Sequence, residues 1–319
     1  MKRINQIDLL KAIAIISVII LHSFASKHLH LIGAAYHIGQ AVPIFMILAG
    51  FNSAHSNQSS VGFYKCLKER ITKIIQPFLL IFGIEILIQV ILGTQDIYNP
   101  WDLIKALMSG GYGPGSYFVP IFLQAIVILP ILNKIAKYNS NMMLLCSLVI
   151  NIVYELTISQ IYPMSDAVYR LLIPRYLFAL GLGVWLANNT ISHKTIYTGA
   201  GISLIYITLG EYCNIWFPVH QSWGTQTVYS YMYPMLLVWL GIKRLPDNID
   251  NRLLLILSNV GKASYHIFLV QMVYFLLLSY LKYKIMLIGA IPICIMVGFL
   301  FLKLESKVHN KNLIKKVES

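Results

Sequence analysis

"IDLLKAIAIISVIILHSF", Ile7 to Phe24, decides how this chain is read: it is apolar enough to cross a membrane as a helix, yet it carries Asp8, Lys11 and His22. A charged side chain near the centre of a span costs on the order of 3 kcal/mol on insertion scales, so such residues usually face a bundle interior or a cavity. Lys11 and His22 lie eleven positions apart, about three turns of 3.6 residues, so they share one helical face roughly 16 Å apart along the axis. Asp8 precedes Lys11 by three residues, a spacing that permits a local ion pair and would hold the ammonium in place. Singly, each has a bland reading: Lys11 as an interfacial lysine reaching for water, His22 as a buried imidazole satisfied by a neighbouring helix. Together on one stripe they point to a shared polar channel.

The rest of the chain has the same character. Of 319 residues 57% are hydrophobic and only 12% charged, about half the charged share of a soluble protein, and the mean hydropathy is +0.69. Apolar runs recur near 8–25, 36–54, 74–93, 116–133, 142–160, 169–187, 196–211, 226–242, 264–281 and 285–303, each of a length to cross a hydrocarbon core of about 30 Å. The expected fold is all-α and polytopic, with about ten transmembrane helices and both termini cytoplasmic. One transmembrane domain is expected over residues 1–305, followed by a basic cytoplasmic tail over 306–319.

The net charge of +13 raises the question of a nucleic-acid partner, and the placement of the basic residues answers it. Most cations, from Lys2 and Arg3 through Arg70, Lys73, Lys262 and the C-terminal lysines, fall on the inner side of this scheme, whereas Lys27, Lys105, Lys282 and Lys284 fall in outer loops. That asymmetry is the positive-inside pattern, so the basic balance reports topology and no nucleic acid is expected. The four cysteines show no CxxC pair, and neither a disulfide framework nor a metal site is expected. The first 26 residues imitate a secretory signal, but Asp8 and Lys11 interrupt it and further spans follow.

Two outer connections are long. In "TQDIYNPWDLIKALMSGGYGPGSY", Thr94 to Tyr117, "PWDLIKALM" reads as a short interfacial helix and "GGYGPG" as a turn cluster. The latter is no phosphate loop, since neither a preceding strand nor a following Lys-Ser/Thr is present. "EYCNIWFPVHQSWGT", Glu211 to Thr225, reads as an interfacial aromatic belt, with a carbohydrate-stacking surface as the alternative. On the inner side, "KRLPDNIDNRLLLILSNVGKAS", Lys243 to Ser264, reads as a polar turn and a short helix in the interface. Other polar residues lie at matching depths: His37 and Gln40 opening the second helix on one face, Arg170 and Arg175 in the outer half of the sixth, Glu85 in the third and Glu155 in the fifth. These are expected to line an outer vestibule above His22, each with pairing to a neighbour as its structural alternative.

"INQIDLLKAIAIISVIILHSF" resembles the first helix of the membrane-bound acyltransferase 3 family, marked by an Arg or Lys, ten residues and a His, with a preceding Asp. "IGQAVPIFMILAGFNSA" resembles its second helix, "FYKCLKERITKIIQPFLL" its basic third helix with Arg70, Lys73 and Pro77, "RYLFALGLGVWLA" its sixth-span glycine motif, and "VGKASYHIFLVQMVYF" a late segment. The chain departs from the pattern in carrying Lys11 where Arg is commoner, Ala49 for Ser before Gly50, and Gln271 where many members carry His, which leaves His22 as the proton-transfer candidate.

The resemblance implies a stand-alone polysaccharide O-acetyltransferase of a bacterial plasma membrane, moving an acyl group, usually acetyl from acetyl-CoA, to a hydroxyl of a cell-surface glycan or its lipid-linked precursor. Acetyl-CoA is then the donor substrate, with no tightly bound cofactor and no metal. Donor phosphates would meet Lys11, Arg70 and Lys73 with Asp8 beside them. His22 would act as general base or as a covalent acyl carrier, and His37, Gln40, Arg170 and Arg175 would stand on the acceptor side. A polysaccharide exporter or flippase without acyl transfer is the alternative, against which no inverted repeat is visible.

Overall fold

The computed structural model describes residues 4–56, 63–93, 99–161, 165–216, 224–249, 251–281 and 289–317. Lys2, Arg3, Lys282, Lys284, the start of the Thr94–Tyr117 connection and most of the expected aromatic belt (217–223) lie outside them. Fourteen α-helices follow in order, and no strand occurs among the described residues. They are α1 Asn5–Ser23, α2 Ser26–Leu31, α3 Ala41–His55, α4 Phe63–Ile91, α5 Pro100–Met108, α6 Phe118–Tyr138, α7 Ser140–Leu156, α8 Asp166–Arg170, α9 Leu177–Asn188, α10 His193–Cys213, α11 Met232–Arg244, α12 Arg252–Lys262, α13 Ser264–Leu281 and α14 Ala290–Val317. A helix occupies part of each of the ten apolar runs, and five segments (Asn5–Ser23, Ala34–His55, Cys66–Ile91, Phe118–Tyr138, Ser264–Leu281) are by length and composition able to cross a membrane. Helix α14 runs on past residue 306 without a break.

Burial sorts the helices into a centre and a periphery. Helices α3 and α9 are buried along most of their length, and α1 packs against α3 and α12. Helices α3 and α9 approach closely: a Cβ on Gly50 would meet the Leu180 carbonyl oxygen and one on Gly183 the Ile47 carbonyl oxygen. Small residues that let helix backbones touch are a typical device of membrane bundles, where packing replaces the hydrophobic effect between helices. The peripheral helices turn apolar side chains outward: Leu79, Leu80 and Leu87 on α4, Val149 and Val153 on α7, Met296 and Leu300 on α14. Backbone polar groups are satisfied within the helices, so these faces suit hydrocarbon. Helices α5 and α12 are short and amphipathic, with Trp101 and Met108, and Leu253 and Ile256, exposed, as interfacial helices are.

Two of the expected spans are interrupted. The second begins not as a helix but as two 3-10 turns, Ala34–Tyr36 and Ile38–Gln40, joined at His37 with φ −135° and ψ −61°. The sixth is broken between α8 and α9 by a 3-10 turn over Ile173–Tyr176 that holds Pro174 at its start. A proline has no N–H to continue the α8 ladder and its ring clashes with the carbonyl four residues back, which explains the break. Gln124 of α6 closes it: its amide donates to the Leu171 carbonyl at 2.7 Å and its carbonyl accepts from the Ile173 N–H at 3.1 Å. Arg170 and Arg175 therefore stand on a break and not along one continuous helix.

Candidate active site

A cavity of ≈ 1040 Å³ runs through the bundle, lined by residues of α1, α3, α4, α6, α12 and α13 and, at its far end, of α2, α8, α10 and the connections there. Ligand pockets of single small molecules span about 300–1,000 Å³, so this one has room for the reacting parts of two substrates. Lys11 and His22 both line it, at separate points on the length of α1. The mouth at the Lys11 level and the chamber at the His22 level differ in chemistry.

At the mouth, Lys11 of α1, Arg70 and Lys73 of α4 and Lys262 of α12 line the cavity with Ser56. Three contacts bring these elements together. A Cβ on Gly261 would strike the Asp8 carbonyl oxygen, so α12 lies against the backbone of α1 one turn before Lys11. The Tyr265 hydroxyl donates to the Ile74 carbonyl at 2.9 Å, seating the start of α13 beside Lys73. Arg70 Nη2 donates to Ser56 Oγ at 3.0 Å, tying α4 to the end of α3. Four cations from three helices thus rim one opening, as a polyphosphate ligand would require. Lys262 was not singled out from the sequence: its place depends on α12 folding back onto α1, and the only hint is the small residue before it.

The waist is apolar, with Val18 and Leu21 of α1, Phe45 of α3, Phe118 and Phe122 of α6 and Phe268 of α13. His22 follows Leu21 at its edge, its ring 5.8 Å from that of Phe275. The loop between α5 and α6 reaches over it. Gly115 has φ +84°, and a Cβ there would sit 3.5 Å from His22 Nε2. Turn-making is what the glycines do, and the turn they make lies against the imidazole. Two buried residues anchor the loop: Glu85 accepts the N–H groups of Tyr112 at 2.9 Å and Gly113 at 3.1 Å, and Gln271 Nε2 donates to the Pro114 carbonyl at 3.2 Å.

The chamber holds Arg170, Arg175, His30, Glu211, Thr225 and Gln226 on its wall. Gln226 organises this region. Its amide donates to the Gly39 carbonyl at 3.2 Å, its side-chain oxygen accepts from Tyr176 at 2.8 Å, and its backbone carbonyl accepts from Arg175 Nε at 3.3 Å and from the Tyr231 hydroxyl at 3.1 Å. Nothing in the sequence marked Gln226, because its role consists of contacts to residues distant along the chain. His30 Nδ1 and Glu211 Oε2 lie 3.6 Å apart with both side chains partly exposed.

Four expected lining residues stand elsewhere. His37 and Gln40 share no helical face: the His37 ring is exposed and reaches the Ile32 carbonyl at 3.1 Å, while Gln40 is fully buried and donates to the Ala35 carbonyl at 2.7 Å. Neither lines the cavity, and the non-helical backbone at His37 interrupts the helix that would have aligned them. Glu85 and Glu155 do not line it either. Each holds backbone: Glu85 the glycine loop, Glu155 the Val228 N–H at 2.9 Å, with Asn151 donating to the same carboxylate at 3.0 Å. Asp8 is buried behind the rim, beneath Gly261. Among the described residues no cluster of His, Cys, Asp and Glu could hold a metal ion.

No curated protein and no solved structure matches the chain. A family profile described as an acyltransferase domain matches residues 4–303, nearly its whole length, and takes in every residue that lines the cavity. An all-helical bundle with several membrane-capable helices, a histidine in its cavity and this match agree, and the chain belongs to the acyltransferase 3 family of membrane acyltransferases.

Proposed function

We propose that the protein is an O-acyltransferase of the bacterial plasma membrane, moving an acyl group, acetyl in the simplest case, from cytoplasmic acyl-CoA to a hydroxyl of a cell-surface polysaccharide or its lipid-linked precursor. The observation that carries this reading is one cavity whose lining includes four cations at one mouth and a histidine at the edge of an apolar waist. In the ten-span arrangement, with both termini cytoplasmic, the Lys11 mouth opens to the cytoplasm. There Lys11, Arg70, Lys73 and Lys262 take the phosphates of the donor, and the uncharged pantetheine arm lies along Val18, Leu21, Phe45 and Phe118.

His22 Nε2 then accepts the proton of the acceptor hydroxyl as its oxygen attacks the thioester carbonyl carbon, forming a tetrahedral intermediate. The C–S bond breaks, the acyl group stays on the acceptor oxygen, and the leaving thiolate takes the proton from the imidazolium. Neutral imidazole suits this work because one ring nitrogen has a lone pair to take the proton and the imidazolium so formed can return it to the leaving group. The experiment is to compare by mass spectrometry the surface glycan of cells carrying the wild-type gene, His22→Ala or no gene. Loss of one acyl mass per modified sugar in both altered strains is expected; undiminished acylation with His22→Ala overturns the reading. Polymer trapped inside the cells would point to export instead.

A further inference from the structure

Arg175 is 3% exposed and lines the His22 chamber. Its Nε donates to the Gln226 carbonyl at 3.3 Å, and the ring centroids of Tyr169 and Tyr176 lie 4.8 and 5.0 Å from its guanidinium carbon. Among the described residues no carboxylate pairs with it, and its two Nη groups donate to no protein acceptor. They are absent from the polar atoms that the protein encloses fully without a partner, so they face the cavity. Glu155, the acid whose field reaches Arg175, is turned toward Asn151 and Val228 behind the wall. Glu211, the carboxylate on the chamber wall, faces His30. The aromatic faces, Gln226 and the 3-10 turn around Pro174 fix the guanidinium plane, leaving a pre-oriented fork of N–H donors inside a largely buried site.

A buried, unpaired guanidinium is costly unless something charged completes it, and the fork fits the two oxygens of a carboxylate or phosphate. A neutral sugar offers hydroxyls to such a fork but no charge. The same chamber carries a second guanidinium, Arg170. The chain also connects Arg175 to the reacting centre: Gly115 lies at His22 Nε2, and Tyr117, two residues on, lies beside Tyr176.

We propose that the acceptor is anionic, carrying a carboxylate or phosphate that Arg175 binds so as to bring a neighbouring hydroxyl to His22. The proposal rests on the acyl-transfer reading for the word acceptor, and its test reads binding without turnover. Purified protein in nanodiscs, with desulfo-CoA saturating the cationic mouth, is titrated calorimetrically with three probes: a glucuronate-containing trisaccharide, its neutral glucose analogue and a glycerol-phosphate trimer. Wild type is expected to bind an acidic probe at least about tenfold more tightly than the neutral one. Preference for the glucuronate assigns the charge to an acidic sugar, and preference for the glycerol phosphate to a phosphodiester or a lipid phosphate.

Arg175→Lys keeps the charge but loses the fork, and Arg175→Gln loses both. Each is expected to lose about tenfold of the preference for the acidic probe over the neutral one. Equal binding of acidic and neutral probes by wild type overturns the proposal, as does a preference retained in both variants. If neither variant folds, the wild-type comparison decides. Undiminished acylation by His22→Ala would overturn the acyl-transfer reading and leave the probe result standing, so the two failures are distinct.

Discussion

Gly115→Ala separates the geometry at His22 from the mere need for a glycine in the loop. With φ at +84°, an L side chain costs about 1–2 kcal/mol of stability. The added Cβ would lie 3.4 Å from the Phe268 ring and 3.5 Å from His22 Nε2, ordinary contacts or nearly so, so the fold has no further reason to give way. An acceptor oxygen, however, must approach Nε2 to about 2.6–3.2 Å, and the methyl would stand beside that path. Displacing a reacting oxygen by about 1 Å costs on the order of 100-fold in rate. Gly93→Ala is the control: its φ is +67° and a Cβ there meets nothing within 4 Å. Both variants, purified and melted side by side, should lose similar stability. In transfer from radiolabelled acetyl-CoA, only Gly115→Ala should lose about 100-fold in kcat, with the donor KM unchanged. Equal activity in the two variants, or a defect confined to the donor KM, would refute the placement of the acceptor at Nε2.

Lys262→Ala removes one of four cations at the mouth and should raise the donor KM about fivefold with kcat unchanged, the effect shrinking as salt is added; steady-state kinetics at two ionic strengths check it. Glu85→Ala leaves the N–H groups of Tyr112 and Gly113 without their acceptor, at about 1–3 kcal/mol each. Lower thermal stability and a lower kcat are expected, with Glu85→Gln, which keeps an acceptor oxygen, closer to wild type. Gly50→Ala drives a methyl into the Leu180 carbonyl, and the forced separation of α3 from α9 should cost about 1–3 kcal/mol in melting experiments.

What the sequence discloses about this site follows from where the information resides. Lys11 and His22 are legible because their relation is internal to one helix: 3.6 residues per turn puts them on one stripe, and the scarcity of charge in lipid marks them out. His37 and Gln40 mislead because the same rule was applied across His37, whose own backbone is not helical (φ −135°, ψ −61°). Pro174 did carry a legible signal, a break one residue before Arg175, that a run of apolar residues conceals. Lys262 and Gln226 could not be read at all. One takes its place from a glycine contact between α12 and α1, the other from bonds to Gly39, Tyr176 and Arg175. Glu85 and Glu155 show the opposite error: an intramembrane acid is conspicuous, yet satisfying the backbone of a loop is reason enough to keep one.

The apolar waist bears on which cargo the cavity suits. Between the cations at the mouth and the polar chamber, the lining includes Val18, Leu21, Phe45, Phe118, Phe122 and Phe268. A hydrated polysaccharide drawn through this waist would lose water from several hydroxyls on every sugar, at about 1–3 kcal/mol for each one left without a partner. A thioester arm and an acyl group present few such groups, and their methylenes gain from burial there. The lining therefore favours passage of the acyl group alone, with each hydrophilic substrate staying at its own end. Widening the waist with Phe118→Ala should relax selectivity toward longer acyl chains, read as the ratio of hexanoyl to acetyl transfer. An unchanged ratio would mean that the acyl group does not lie against Phe118.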